Sequence, residues 1–206
     1  MPIMRLLSRL LLVLGFASAT FLTSCETAPR TAGGSGNYKV TALRPKNPEN
    51  VKVKLSTSTQ HVYVMEGDRL LMAVQGTVGI GNTTPMGNFR ITRKEKNKRR
   101  ISQPDRGYPM AYWAEIKPAY GFHEGFVHAR PRSHGCIRLH REAAARLFAL
   151  VKVGTPVNIS TTQAEDSKYG HLVRKLDQSK DPDPPRALLM SPAWFKDPVG
   201  PLLVDG

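Results

Sequence analysis

The strongest constraint on the fold is the alternation of apolar and polar side chains early in the central region. Residues 51–55 and 61–65 both alternate in this way, and an apolar run at 69–75 follows a turn around Gly67. Successive side chains of a β-strand point to opposite faces, so a repeat of two residues predicts strands with one buried face. Two such runs separated by a short glycine-containing turn predict a β-hairpin.

The rest of the central region adds short strands and one helix. The helix is predicted at residues 141–153, where Ala143, Leu147 and Leu150 lie on one stripe and Gly154 follows as a stop signal. Further strands are predicted at residues 90–93, 112–116, 121–123 and 157–160. One main helix among many short strands predicts a mainly β fold.

The first 24 residues have the pattern of a secretory signal peptide. Arg5 and Arg9 give a positively charged start, and an apolar stretch follows at 10–16. This stretch is too short and too interrupted to predict a membrane-spanning helix. We therefore expect residues 1–24 to be removed.

The end of this segment, residues 22–25, resembles the bacterial lipobox. That resemblance implies that Cys25 is acylated, becomes the new N-terminus and anchors the protein in a lipid bilayer. The protein would then be a lipoprotein of the cell envelope that faces the periplasm. Glu26, where inner-membrane lipoproteins commonly have Asp, favours the outer membrane. The alternative is ordinary cleavage beside an incidental cysteine.

The chain divides into a leader, a linker, one domain and a tail. Residues 25–50 are rich in Thr, Gly, Pro, Ser and Asn without hydrophobic periodicity, which predicts a flexible linker. Residues 51–160 form the predicted domain. The polar, Pro-rich tail at 161–206 is predicted to be disordered, with docking through Trp194 and Phe195 as the alternative.

The charge of the chain is strongly positive. Thirty Lys and Arg against sixteen Asp and Glu give a net charge of +14, which predicts anionic surroundings such as nucleic acid, phospholipid or an acidic wall polymer. The sequence has no RNA-binding motif and no zinc-finger spacing, so we do not expect a nucleic-acid partner. The basic run at 94–100 is predicted to be a solvated hairpin tip.

The side chains best suited to catalysis or metal binding lie between residues 123 and 140. This stretch holds four of the six histidines and one of the two cysteines. A thiol becomes a nucleophile when an imidazole or another positive group favours the thiolate, which makes Cys136 the candidate nucleophile and His123 the candidate base. If the segment enters a strand, His134, Cys136 and Arg138 share one face. On the opposite face, Ile137 and Leu139 would then point into the core.

Three other interpretations of the same residues remain open. Cys136 could be a buried structural thiol, although its polar neighbours are unusual for one. It could also pair with Cys25 in a disulfide. A zinc site has suitable ligand types, but their spacing matches no common structural site, and we expect no metal; the candidate ligands are His123, His128, His134, Cys136 and His140. We expect His128 and His140 to be exposed and without function.

Residues 133–138 resemble the signature of the L,D-transpeptidase catalytic domain, also called the YkuD-like domain. The resemblance extends over residues 51–160, because four further motifs occur in the family's order: the opening hairpin, the segment at 84–89, the upstream-histidine motif at 121–125 and the closing strand at 154–159. It implies a β-sandwich or barrel-like domain with one main helix after the catalytic motif.

The resemblance also implies a reaction. Cys136 would be acylated by the third residue of a peptidoglycan stem peptide with release of the terminal D-amino acid. His123 would act as the base, oriented by the main-chain carbonyl that follows it. An amine of another stem or of a protein would then accept the acyl group, without any cofactor. The remaining implied site residues are Ser133, His134 and Gly135, which shape the pocket and the oxyanion site, and Arg138, which binds substrate.

The sequence leaves two alternatives to this function, and it departs from the family pattern at Glu124, at Arg132, where the family often has Ala, and in the short gap between His123 and Ser133. Water could act as the acceptor, which would make the protein an L,D-carboxypeptidase, or the protein could be an inactive lipoprotein that binds the wall. Glu124 occupies a position that is often small in the family. An acid beside the base could alter its pKa or recruit a cationic group of the substrate.

Overall fold

The structure is a computed structural model that describes residues 38–100 and 107–206. The predicted signal peptide, Cys25 and the first half of the predicted linker lie outside the described residues. Within the described ranges, no helix has both the length and the apolar character needed to cross a membrane.

The described chain folds around one nine-stranded sheet, which confirms the mainly β prediction. Across the sheet the strands run in the order β4-β9-β1-β2-β3-β8-β7-β6-β5, and the sheet curls into a half-barrel in which β4 also contacts β6. The strands are β1 (Val51–Ser56), β2 (His61–Glu66), β3 (Arg69–Thr77), β4 (Gly87–Arg90), β5 (Arg93–Glu95), β6 (Trp113–Lys117), β7 (Tyr120–Glu124), β8 (Ile137–Leu139) and β9 (Pro156–Ser160).

The alternation in the sequence corresponds to the buried face of the sheet. β1 pairs antiparallel with β2 and places Val53 opposite Val64, and both side chains are fully buried. The helix α1 (Arg141–Leu150) packs its apolar stripe, including Leu147, against the same core. It ends before the predicted boundary because Val151 already has an extended backbone. Burial of this apolar surface provides the main driving force for folding.

The connection that matters for the site is the parallel pairing of β7 with β8. In this pairing Phe122 lies opposite Ile137, and His123 lies opposite Arg138. β8 also pairs antiparallel with β3, so it is held on both sides. The residues just before β8 are therefore brought to the beginning of β7.

The second half of the predicted linker belongs to the folded domain. Tyr38 and Ala42 are buried, and the N–H of Leu43 donates a hydrogen bond to the carbonyl of Leu71 in β3. The composition of this segment resembles a linker because its apolar residues are few, but those few are the residues that contact the sheet.

The prediction that the C-terminal tail is disordered is wrong. It forms two short helices, α2 (Ala164–Tyr169) and α3 (Arg186–Met190), and it buries Trp194 and Phe195 in the main core. Its last residues reach the start of the domain, where Val204 pairs with Leu43. The docking alternative for the two aromatic residues is correct.

Trp194→Ala is expected to lower the free energy of unfolding by about 3–5 kcal/mol, because it removes a large side chain from a packed core. Urea denaturation followed by circular dichroism measures this change. The matched control is Val199→Ala in the same segment, where the side chain is 100% exposed. Equal stability of the two variants would mean that the tail does not pack as described.

Candidate active site

The loop that presents the candidate nucleophile is closed by hydrogen bonds of Ser133. The Ser133 hydroxyl donates to the carbonyl of Cys136 (2.6 Å) and accepts from the N–H of Gly135 (3.0 Å). Ser133 is buried, and it pairs with Gly79 through an isolated bridge. The serine therefore supports the shape of the loop. Since the N–H of Gly135 is already bonded to Ser133, the oxyanion role predicted for this region remains a prediction.

Gly135 has a conformation and a packing environment that only glycine tolerates. Its φ is +131°, and a Cβ atom here would lie 2.5 Å from a ring carbon of Tyr120 and 2.8 Å from the carbonyl of Thr83. The hydroxyl of Thr84 donates to the carbonyl of Gly135 (3.0 Å). The motif at 84–89 thus supports the nucleophile loop directly.

The thiol of Cys136 lies at the start of the strand that carries His123. It is half-buried and donates to the carbonyl of Ala119 at 3.5 Å. Burial raises the pKa of the thiol, while the N–H of Gly121 and the charge of Arg138 act in the opposite direction. The thiol is therefore protonated at neutral pH before substrate arrives.

His123 is buried in β7, and one of its ring nitrogens is already engaged in a hydrogen bond. Its Nδ1 lies 2.6 Å from the carbonyl oxygen of Glu124. A carbonyl can only accept a hydrogen bond, so Nδ1 carries the proton and Nε2 keeps its lone pair. Burial is the main cause that lowers the pKa of His123 to about 4, and the charge of Arg138 lowers it further. The imidazole is therefore neutral at pH 7, as a base must be.

The strand register brings the base and the thiol to one surface of the sheet. His123 lies opposite Arg138, and Cys136 precedes Arg138 by two residues. Since alternate residues share a face, these three side chains lie opposite the buried pair Phe122 and Ile137. The offset along the strand is two residues, or about 7 Å.

Arg138 and His134 differ in how they relate to this surface. The methylenes of Arg138 pass over Gly125, where a Cβ would meet them at 3.2 Å. Its charge lowers the pKa of both His123 and Cys136, and its position in β8 lies opposite His123. His134 is exposed. The substrate-binding role of Arg138 and the pocket-shaping role of His134 remain predictions.

Lys98 belongs to the site and was not expected there. The basic run was predicted to be solvated, but Lys98 is buried with its Nζ 5.3 Å from the centroid of the Trp113 ring. The Trp113 ring in turn lies 6.0 Å from the His123 ring, and the charge of Lys98 lowers the pKa of Cys136. A repeat of two residues within the basic run could have revealed this, since three alternate lysines of the run each lie over an aromatic ring: Lys94, Lys96 and Lys98.

Glu124 does not face a substrate. It is buried and pairs with Arg141, with 3.0 Å between Nη1 and Oε1. Burial raises the pKa of this carboxyl to about 7, and Arg141 opposes that effect. The hypothesis that Glu124 recruits a cationic group of the substrate is wrong, because its carboxylate points into the protein and is already paired.

The two histidines that were predicted to be exposed are not. His140 is buried, accepts the N–H of Glu142 at the start of α1 and packs on Tyr38 at 4.6 Å between ring centroids. His128 is largely buried, and its main-chain N–H donates to Thr77. Within residues 38–100 and 107–206, no three His, Cys, Asp or Glu residues are grouped so as to hold a metal ion. The zinc alternative therefore has no support there, and Cys136 is a free thiol.

Two surface depressions differ in their relation to the site. A groove of about 450 Å³ lies between β1, β4 and β9, lined by residues that include Lys52, Lys54 and Arg90, and it does not contact the thiol. A smaller cleft of about 60 Å³ adjoins the nucleophile loop and is lined by residues that include Gly79 and Thr84. Cys136 and His123 line neither of these two depressions.

Alkylation of Cys136 by iodoacetamide is expected to accelerate with pH into the alkaline range, with no plateau between about pH 5 and about pH 8. The reason is that burial raises the pKa of the thiol, while the neutral His123 provides no charge to hold a thiolate. Mass spectrometry of the peptide that contains Cys136 gives the rates. Arg138→Gln removes a charge that lowers this pKa, so its curve should move to higher pH. A plateau at neutral pH would indicate a preformed thiolate–imidazolium pair and contradict this prediction.

Comparison with known proteins places the chain in a family. The profile of the YkuD family, described as L,D-transpeptidase catalytic domain, matches residues 50–159. No curated protein matches the sequence. Among solved structures, an L,D-transpeptidase from Stackebrandtia nassauensis shares 19% identity over 60% of each chain with a TM-score of 0.50. One from Xylanimonas cellulosilytica shares 20% identity over 56% of this chain and 63% of its own (TM-score 0.49).

A third structure, Mycobacterium tuberculosis L,D-transpeptidase 1, shares 24% identity over 54% of this chain and 61% of its own, with a TM-score of 0.46. The chain thus spans about 60% of the length of these structures. At 19% identity, the likeness to the Stackebrandtia nassauensis structure concerns the fold alone. The family profile, in contrast, matches more than half of the chain in sequence. The protein therefore belongs to the YkuD family of L,D-transpeptidase catalytic domains.

Proposed function

We propose that this protein is a peptidoglycan L,D-transpeptidase in which Cys136 is the nucleophile and His123 is the base. The observation that carries the proposal is the arrangement of these two side chains on one surface, with His123 in β7 and Cys136 directly before β8, two residues apart along the paired strands. The Nδ1–H of His123 is bonded to the Glu124 carbonyl, so its free Nε2 is the nitrogen available to the thiol. Membership of the family supports the substrate class.

In the first step, Nε2 of His123 removes the proton of the Cys136 thiol as the sulfur attacks the carbonyl carbon of the third stem residue. The tetrahedral intermediate collapses with cleavage of the amide bond to the terminal D-amino acid. His123 returns the proton to the departing amine. The products of this half-reaction are a thioester on Cys136 and a free D-amino acid.

In the second step, an amine of another stem or of an envelope protein attacks the thioester. His123 accepts a proton from this amine, the new amide bond forms, and the sulfur leaves and is protonated again. The energy of the first amide bond is held in the thioester, so the reaction needs no cofactor. Water in place of the amine would give the L,D-carboxypeptidase reaction.

The charge around the thiol suits an anionic donor. Arg138 and Lys98 both lower the pKa of Cys136, which means that both positive charges reach the reacting sulfur. A stem peptide that ends in a D-amino acid carries a carboxylate near the bond to be cleaved. The Arg138 guanidinium has the planar fork that suits a carboxylate.

We further propose that the protein is a lipoprotein anchored in the cell envelope. Acylated Cys25 would insert into a bilayer, with the outer membrane favoured by Glu26, and the domain would face the periplasm. Since the folded part begins by residue 38, the tether from Cys25 spans at most 13 residues, or about 45 Å when fully extended. The domain would therefore act on wall close to its membrane.

Purified wild-type protein is expected to convert a defined disaccharide-tetrapeptide into cross-linked dimer with release of the D-amino acid. Cys136→Ala should lose this turnover by at least about 10³-fold, because no other group can form the acyl intermediate. Mass spectrometry of the products measures both outcomes. A Ser133→Ala variant, which keeps the thiol but loses the hydroxyl that supports the loop, should retain partial activity.

The same products separate the alternatives. A trimmed tripeptide without dimer would indicate the carboxypeptidase reaction. If wild-type and Cys136→Ala proteins both bind isolated wall and neither turns over the tetrapeptide, the protein is a wall-binding lipoprotein without activity. Full activity in Cys136→Ala would show that the nucleophile has been assigned wrongly.

Cys25→Ala is expected to release the protein from the membrane fraction into the soluble periplasmic fraction, because it removes the only acylation site of the lipobox. Fractionation with intact-mass analysis measures the location and the added acyl mass. Glu26→Asp is the matched control, since it keeps the lipidated cysteine and should change only the choice between inner and outer membrane. Membrane association that persists without acyl mass would contradict the lipid anchor.

A further inference from the structure

The C-terminal segment that follows the family match contacts the first residue of α1. The family match ends at residue 159, whereas Trp194 and Lys196 lie against the start of α1. Their carbonyl oxygens both accept hydrogen bonds from Nη2 of Arg141, the first residue of that helix. The tail thus contacts the domain through main-chain acceptors aimed at one buried guanidinium.

The same guanidinium holds Glu124. Nη1 of Arg141 donates to Oε1 of Glu124, and both side chains are buried. The other carboxylate oxygen and the indole N–H of Trp194 are also buried, and neither makes a hydrogen bond among the described residues. The Arg141 guanidinium lies 5.9 Å from the centroid of the Trp194 ring, and the indole N–H favours the charged form of the Glu124 carboxylate. Arg141 and Trp194 therefore enclose the Glu124 side chain.

Glu124, which is held in this way, is also the residue whose carbonyl orients the His123 imidazole. The main-chain N–H of Glu124 donates to the carbonyl of Ala111 (2.9 Å), and its own carbonyl accepts Nδ1–H of His123 (2.6 Å). The peptide unit that selects the His123 tautomer also donates the N–H of Gly125 to the carbonyl of Leu139 (2.9 Å), and Glu124 itself is held by the bond to Ala111 and by its paired carboxylate. A shift of Glu124 would move the acceptor and release the ring.

We propose that Arg141 and Trp194 are positioning residues for His123, acting through Glu124. The C-terminal tail is then a working part of the site, although it lies outside the catalytic-domain match and touches neither the thiol nor the base. This inference rests on the proposed role of His123 as the base. Neither residue is expected to contact substrate, so their loss should affect kcat much more than KM.

The test compares Trp194→Phe with Phe195→Leu. Trp194→Phe keeps an aromatic ring but removes the N–H that faces Glu124. Phe195 is the next residue, is buried in the same core and packs against Arg99 instead of Glu124. We expect both variants to lower thermal stability by similar amounts. Trp194→Phe should in addition lower kcat roughly tenfold with KM within about twofold, whereas Phe195→Leu should not show this loss of kcat.

A second measurement determines which ring nitrogen of His123 carries the proton. In protein labelled with 15N-histidine, the His123 signals, identified by their loss in His123→Gln, should show one neutral tautomer with the proton on Nδ1. Trp194→Phe should shift this signal toward a mixture of tautomers, and Phe195→Leu should not. Arg141→Lys is the stronger variant, because lysine lacks the fork needed to bind Glu124 and the two tail carbonyls together.

Each outcome has a definite meaning. Unchanged kcat and an unchanged Nδ1–H signal in both Trp194→Phe and Arg141→Lys would overturn the positioning role. Equal effects of Trp194→Phe and Phe195→Leu would also overturn it, since they would show only a general effect of the core. If wild-type protein had no transpeptidase activity, the proposed function would fail, but the tautomer measurement without substrate would still decide the positioning role.

Discussion

The parallel pairing of β7 with β8 is the constraint on which the rest of the site depends. Cys136 and His123 are distant in the chain, and only this register places them on one surface of the sheet. A slip of one residue would turn every side chain of β8 to the opposite face, so the thiol would enter the core and Ile137 would face solvent. The register is protected against such a slip because Phe122, Ile137 and Leu139 are all fully buried. Hydrophobic burial on one face thus fixes the chemistry on the other.

The electrostatics of the site follow from the same burial. A neutral imidazole and a protonated thiol are the stable resting forms, since burial opposes charge on both groups. The thiolate then arises only as the proton is transferred during attack. Arg138 and Lys98 favour the negative charge that develops on the sulfur. Their effect on the pKa of Cys136 is smaller than that of burial, so the resting thiol stays protonated. Because oxidation follows thiolate character, a protonated resting thiol is also less susceptible to oxidants than a thiolate.

Much of the domain could be predicted from the sequence, and the reasons for the failures are physical. Alternation in residues 51–65 identified the buried strands, and glycine and histidine motifs identified the loop around Cys136. The tail was missed because its apolar residues, such as Trp194, lie in short clusters broken by prolines and have no regular period. Lys98 was missed because a lysine was taken to be solvated, although its long apolar stem can pack on an aromatic ring while the amine lies over the ring face. Both errors concern contacts between segments far apart in sequence.

The pairing of Leu43 with Val204 joins the two ends of the folded region. Tension on the chain before residue 38 would first meet Tyr38, which is buried and packs on His140, and then the hydrogen bond from Leu43 to Leu71. Since His140 directly follows β8, the entry of the chain is tied both to its C-terminal end and to the strand beside the nucleophile loop. A pull on an anchored chain would therefore be divided between these two contacts.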